Sequence, residues 1–204
     1  MTMSEDHIIS VIDDACGKEY YGGDQAWFES RRLKDYACGV IALTNCILTK
    51  ELDNASISKA RFMHLAEKLQ KWYLPVIPGF GINGLELAFG ANAYFIRNGL
   101  PHRAFWGCLP SHIWETAGKM LDKGWPVVLA IGPNNRILTG KESVAMTGNV
   151  NDKARAHYVT ITNMTKDKLA VSSWGKKFDI DKAEYEKYMK RASNPLFSNI
   201  LVIK

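Results

Sequence analysis

The chain has no long hydrophobic run, no paired-cysteine motif, no basic cluster and no low-complexity tract, and each absence removes a class of protein. Its longest apolar stretch, Trp125 to Ile131, is far shorter than the roughly 20 residues that a membrane-spanning helix needs. No membrane partner is expected. Met1 to Asp14 carry Glu5, Asp6, Asp13 and Asp14, and lack the basic start and apolar run of a secretory signal. The reading is a cytoplasmic protein, with export by a leaderless route left open. The four cysteines, Cys16, Cys38, Cys46 and Cys108, form no Cys-x-x-Cys pair, and nearby histidines do not complete zinc-finger spacing. Free thiols and no metal are therefore expected. The net charge of +5 is the balance of 26 basic and 21 acidic residues scattered along the chain. Scattered charge does not track a phosphate backbone, so no nucleic-acid partner is expected.

What is present is enough apolar material for a packed core, 47% of 204 residues. Val40, Leu43, Thr44, Ile47 and Leu48 share one face of a helix over 36–50, with Asp35 at its N-cap position. Phe62, Leu65, Ala66, Leu69 and Trp72 form the stripe of a second helix over 58–73, stopped by Pro75. A third runs from Asn83 to near Gly99 with Gly90 inside it, and a fourth from Ser111 to Gly124. After Gly124 the pattern changes. Trp125 to Ile131 reads as a buried strand, Pro133 to Arg155 as a long polar loop or β-excursion, and 157–162 and 168–174 as a hairpin. An extended piece over 177–180 leads to a helix capped by Asp181 with Glu184 three residues on, and 196–203 reads as a last strand. With no repeat or linker to divide it, the expectation is an α+β chain folding as a single domain, 1–204, with a helical lobe about 20–124 and a β-rich lobe about 125–204.

The chemistry concentrates in two distant segments. Cys38-Gly39 opens the first long helix, and His157-Tyr158-Val159 opens the hairpin more than a hundred residues later. A thiol needs such a partner, because the thiolate is the nucleophile and a free cysteine is only slightly ionised near neutral pH. Helix N-terminal amides favour the thiolate, the amide of Cys38 can donate to a developing oxyanion, and Gly39 clears the approach to the sulfur. Cys46, two turns further on, reads as a small buried hydrophobe. His64, His102 and His112 read as solvated.

In the order of its motifs the chain resembles the papain-like cysteine peptidase superfamily, and within it the bacterial C39-like group. The residues that carry the resemblance are Cys38 and Gly39, then Gly124, Pro126 and Val127, then His157, Tyr158 and Val159, and last Ser172, Ser173, Trp174 and Gly175. It implies a papain-like α+β fold with a helical lobe packed against a twisted antiparallel sheet lobe, and no cofactor. Cys38 would attack a carbonyl carbon of a peptide or protein substrate, and His157 would act as general base. Relatives place an Asn, or an Asp, on the strand after the histidine to orient the ring. Here Ser172 stands at that place, and a hairpin turning at Met164 to Asp167 sets it diagonally from His157 on one face, whereas a one-residue shift substitutes Ser173. A serine stabilises an imidazolium less than a carboxylate would, which leaves either a Cys-His dyad or a further acid such as Asp179. Relatives also carry a Gln six residues before the nucleophile, where this chain has Arg32. Gln25, thirteen residues upstream, reaches the sulfur only through an unusual loop. Trp174 would shield the histidine hydrogen bond. The same Cys-His pair would serve an amide acyltransferase or a deamidase, and the departures from the family pattern keep open a non-catalytic binding module.

Overall fold

A computed structural model of the chain describes residues 6–133 and 142–204. The first described elements are a hairpin, β1 (Ser10–Asp13) and β2 (Lys18–Tyr21), which no local sequence signal marks. A 3-10 turn, Gln25–Trp27, is capped by Asp24, whose carboxylate accepts the amide of Ala26. Two helices follow nearly without a break, α1 (Arg31–Tyr36) and α2 (Cys38–Leu52). Asp35 is therefore not the cap of α2: it lies inside α1, exposed, and Ala37 takes the cap position with no side-chain hydrogen bond. Helix α2 is buried on all sides from Gly39 to Thr49, as befits a helix apolar around most of its circumference. A two-residue strand, β3 (Ile57–Ser58), joins β1 in parallel and leads into α3 (Lys59–Trp72), capped by the Ser58 hydroxyl. Phe62, Leu65, Ala66 and Leu69 of the expected stripe are buried, whereas Trp72 at the last turn is 69% exposed.

Helix α4 (Gly84–Arg97) begins with a reciprocal capping box between Asn83 and Glu86. A short strand, β4 (Ala104–Trp106), and α5 (Ile113–Leu121) follow, the latter starting two residues beyond the expected Ser111 cap. The remaining elements are β5 (Val127–Ile131), β6 (Val144–Met146), β7 (Asp152–Ala154), β8 (His157–Met164), β9 (Lys168–Ser173), β10 (Lys176–Asp181), α6 (Lys182–Arg191) and β11 (Ile200–Ile203). The last strand is shorter than the sequence pattern suggested, because Asn194 turns the chain and its side chain accepts the amides of Leu196 and Phe197. Of the long polar segment, residues 134–141 lie outside the described residues, and 144–154 pair as the β6–β7 ribbon.

The α+β class holds. Six strands form a sheet in the order β10–β9–β8–β5–β11–β4 with every neighbouring pair antiparallel, and α2 packs on its centre against β8 and β5. Val40, Leu43 and Ile47 of α2 share one continuous core with Val127, Leu129, Val159 and Ile161 of the sheet. Truncating Leu43, Ile47, Leu129 or Ile161 to Ala leaves a void that costs about 2–5 kcal/mol. That core presses the N-terminal end of α2 against the start of β8, the two points the sequence marked for chemistry.

Candidate active site

Cys38 is the first residue of α2, so its side chain sits among backbone amides that no side chain caps. His157 is the first residue of β8 and lies opposite Ile131 in the ladder. The two line one small cavity together with Gln25, Asn45, Ser173 and Trp174, and its volume of about 10 Å³ is room for roughly one water. Gly39, beside the nucleophile candidate, has a reason other than clearing the sulfur. A Cβ there would stand 2.9 Å from Cγ2 of Ile82 and 3.2 Å from the Tyr158 ring, so the glycine lets the helix settle against both.

The imidazole of His157 is held from two directions. Its Nε2 is 2.7 Å from Oγ of Ser173, and the indole of Trp174 stacks on the ring with centroids 4.6 Å apart and planes 18° from parallel. The expected partner, Ser172, is thus corrected to Ser173. The reason is the register: the loop between β8 and β9 spans Thr165 to Asp167, with Met164 opposite Leu169, and a bulge at Thr162 then sets Thr160 opposite Ser172. The net slip of one residue turns Ser172 to the other face, where its hydroxyl donates to the carbonyl of Tyr21 at 2.6 Å. Asp179 is not at the ring either; its backbone pairs with Thr147 on the edge of the sheet. Asp152 is the carboxylate whose charge acts on His157.

Backbone strain flanks the histidine on both sides. Ala156, just before it, has φ +48°, and Trp174 has φ +49°. Trp174 and Gly175 are the two loop residues of the β9–β10 hairpin, both with positive φ, which is the type I′ arrangement that favours Asn-Gly. A tryptophan in that slot costs about 1–3 kcal/mol in backbone strain, offset by its packing on His157 and edge-on against Phe178.

Gln25 is the site residue that spacing obscured. Helix α1 fills the chain between it and Cys38, and this compact insertion returns Gln25 to the cavity while Arg32 points outward, exposed, on α1. The Gln25 amide nitrogen donates to the carbonyl of Lys34 at 2.6 Å, which ties the side chain to α1 and leaves a second N–H on the same nitrogen. The available signal was that Gln25 is the one glutamine upstream of Cys38.

The protonation states follow from burial. Burial pushes the Cys38 thiol up, against the opposing pull of the amides of Tyr158, Gly39 and Cys38 itself. Burial also pushes His157 down to about 4, with the Asp152 charge acting the other way. Both shifts favour the uncharged forms, a thiol and an imidazole. Cys46 is fully buried in the core, as expected of a small hydrophobe. His102 departs from the solvated reading: it packs edge-on against Trp125 at 4.9 Å and Phe95 at 5.7 Å. His64 and His112 are exposed.

Beside the small cavity opens a cleft of about 500 Å³ that shares His157 and Tyr158 with it, and whose walls include Ile77, Phe80, Ile82 and Trp106. Among the described residues no group of three or more His, Cys, Asp or Glu side chains is placed to hold a metal ion, and no helix is long and apolar enough to cross a membrane.

No protein-family model matches the chain, and no curated protein matches it. Among solved structures it is similar to a crystal structure from Bacillus anthracis provisionally described as a C39-like peptidase, with 16% identity and a TM-score of 0.51. The match covers 87% of this chain and 91% of that one, so the shared fold extends over nearly the whole architecture.

Proposed function

We propose that this chain is a cysteine-dependent hydrolase that cleaves a peptide or isopeptide bond through a thioester on Cys38. The observation that carries the reading is the His157 ring, pinned at Nε2 by the Ser173 hydroxyl under the Trp174 indole, in the wall of the cavity that Cys38 enters from a helix N-terminus. With Nε2–H donating to Ser173, Nδ1 is the nitrogen left for proton exchange. As Sγ of Cys38 bonds to the substrate carbonyl carbon, its proton passes to Nδ1. His157 then returns that proton to the leaving amine as the C–N bond breaks. Water, deprotonated by the same nitrogen, hydrolyses the thioester and regenerates the thiol. The amide of Cys38 and the free N–H of Gln25 donate to the oxyanion, replacing the glutamine that relatives carry closer to the nucleophile. The acyl portion of the substrate lies in the adjoining cleft, whose apolar walls favour a bulky apolar side chain. An acyltransferase or deamidase would use the same residues with a different acceptor or leaving group.

A non-catalytic binding module is the second reading, favoured by the neutral resting pair and the narrow space beside the sulfur. Alkylation of Cys38 by iodoacetamide, followed against pH by intact mass spectrometry with exposed Cys16 as internal control, separates the two. The enzyme reading expects a rate plateau from about pH 5 to about pH 8 that disappears in His157→Ala, because a neutral imidazole takes the proton as the sulfur attacks. A rate that follows an ordinary thiol titration and ignores His157 overturns it in favour of the binding module.

A further inference from the structure

We infer that Asn45 is a positioning residue: one buried side-chain amide that holds Cys38, the His157–Ser173 pair and Gln25 in register with one another. The inference rests on the acyl-transfer reading and concerns what keeps that site assembled.

Asn45 lies seven residues after Cys38 in α2, two turns along and on the same face of the helix, and it is 1% exposed. A carboxamide in the middle of a helix buried on all sides costs free energy unless its donors and acceptor are used. Here they are used in three directions. Nδ2 donates to Oγ1 of Thr160 at 3.1 Å and to Oγ of Ser172 at 3.4 Å, and Oδ1 accepts the amide of Gly23 at 2.9 Å. Each partner sits a short step along the chain from a functional group. Thr160 is three residues beyond His157 on β8, Ser172 adjoins Ser173 on β9, and Gly23 is two residues before Gln25.

The partners are tied in turn. Ser172 donates onward to the carbonyl of Tyr21, and Thr160 donates back to α2 at the carbonyl of Ala42. The amide of Tyr21 donates to the carbonyl of Gly175, and the amide of Gly175 donates to the carbonyl of Gly23. The network therefore ends on the hairpin turn that carries Trp174 against the imidazole. The backbone at 22–23 is seated closely enough to need two glycines: a Cβ on Gly22, which has φ +75°, would lie 2.5 Å from Oγ of Ser172, and one on Gly23 would lie 2.1 Å from the Phe62 ring. Asn45 itself lines the small cavity with Cys38 and His157. Ser172, displaced from the imidazole by the register, acquires a role here as a link between Asn45 and the strand that bears Ser173.

A residue that only stabilises the core lowers the melting temperature without changing how Cys38 reacts in protein that stays folded. A positioning residue changes the reaction. The test is the Cys38 alkylation profile with iodoacetamide, at a temperature well below each variant's melt, for Asn45→Asp and Asn45→Leu and for the double variant Thr160→Val with Ser172→Ala. Asn45→Asp is nearly isosteric and keeps the acceptor for Gly23 while losing both donors, and the double variant leaves Asn45 in place without its side-chain acceptors. The expected result is a plateau at least tenfold lower than wild type relative to Cys16, approaching that of His157→Ala, in every variant that retains a cooperative melt. An unchanged plateau in a folded Asn45 variant overturns the assignment, and if neither Asn45 variant folds, an unchanged plateau in the double variant does so. A wild-type protein with no His157-dependent plateau instead sinks the acyl-transfer reading, and this assignment with it.

Discussion

The imidazole of His157 and the indole of Trp174 lie face to face, 4.6 Å apart at 18°, although Trp174 occupies a backbone conformation that disfavours its own side chain. The turn chemistry and the ring contact oppose each other at one residue. Strain retained at such a place points to the contact as what is kept.

Replacing Trp174 with Asn separates the two effects. Asn-Gly is the favoured pair for this turn, so the hairpin is expected to persist. The imidazole, stripped of its cover, regains water, and the pKa of His157 is expected to rise from about 4 toward its ordinary value of 6.5. Imidazole proton shifts followed by NMR against pH check this; a pKa that does not move would show that Trp174 is not what keeps water from the ring.

Stability should carry the same signature. A histidine whose folded-state pKa is depressed contributes stability that is present above its unfolded value, near 6.5, and lost as pH falls toward about 4, because the unfolded chain binds the proton more readily in that window. The ceiling for His157 is about 3 kcal/mol. Urea unfolding at pH 7 and pH 4.5 is expected to show a smaller loss in His157→Gln than in wild type. Carboxylates such as Asp6, also held low, titrate alike in both proteins and drop out of the comparison.

Ultraviolet absorbance reads the charge state of the pair. Burial holds the Cys38 thiol above its ordinary range, so the absorbance difference at 240 nm between wild type and Cys38→Ser is expected to lack a thiolate band at pH 7. A full thiolate band at that pH would mean that the resting site is an ion pair.

Ser173→Ala removes the hydroxyl that takes the far ring nitrogen of His157 and leaves that group unpaired in a buried place. The His157-dependent alkylation plateau is expected to fall about tenfold, the equivalent of about 1–2 kcal/mol. Equal rates in the variant and wild type would show that the ring needs no orienting partner beyond Trp174.

Gln25→Ala should act on acylation and not on alkylation, since iodoacetamide forms no oxyanion. With an activated peptide ester that acylates Cys38, the expected loss in kcat is about 10²–10³ with KM little changed. A loss confined to KM would move Gln25 from the oxyanion to substrate binding.

Much of this architecture was legible because it rests on local periodicity. The stripes of α2 and α3, the start of α4 after Asn83, the Asp181 cap, and the apolar run of β5 each follow from spacings that one element satisfies on its own. The β1–β2 hairpin was not legible: Ser-Val-Ile-Asp and Lys-Glu-Tyr-Tyr are too short and too polar to signal strands, and they are held by β3 and by contacts with the sheet. Asp35 illustrates the opposite failure, a good capping residue in the right place by sequence that a second short helix absorbed.

The sequence by itself determined that a cysteine stands at a helix start and a histidine at a strand start, because each position follows from local pattern. Only the tertiary structure decided which serine meets the imidazole and which glutamine lines the cavity. Ser172 and Ser173 are equivalent in composition and differ by one step of a strand, and their choice depends on a loop length and a bulge at Thr162. Gln25 returns to the cavity because α1 folds the intervening residues into a compact turn of helix, and Asn45 acquires its partners from three other segments. Register and long-range return are properties of how elements pack, and no window of sequence contains them.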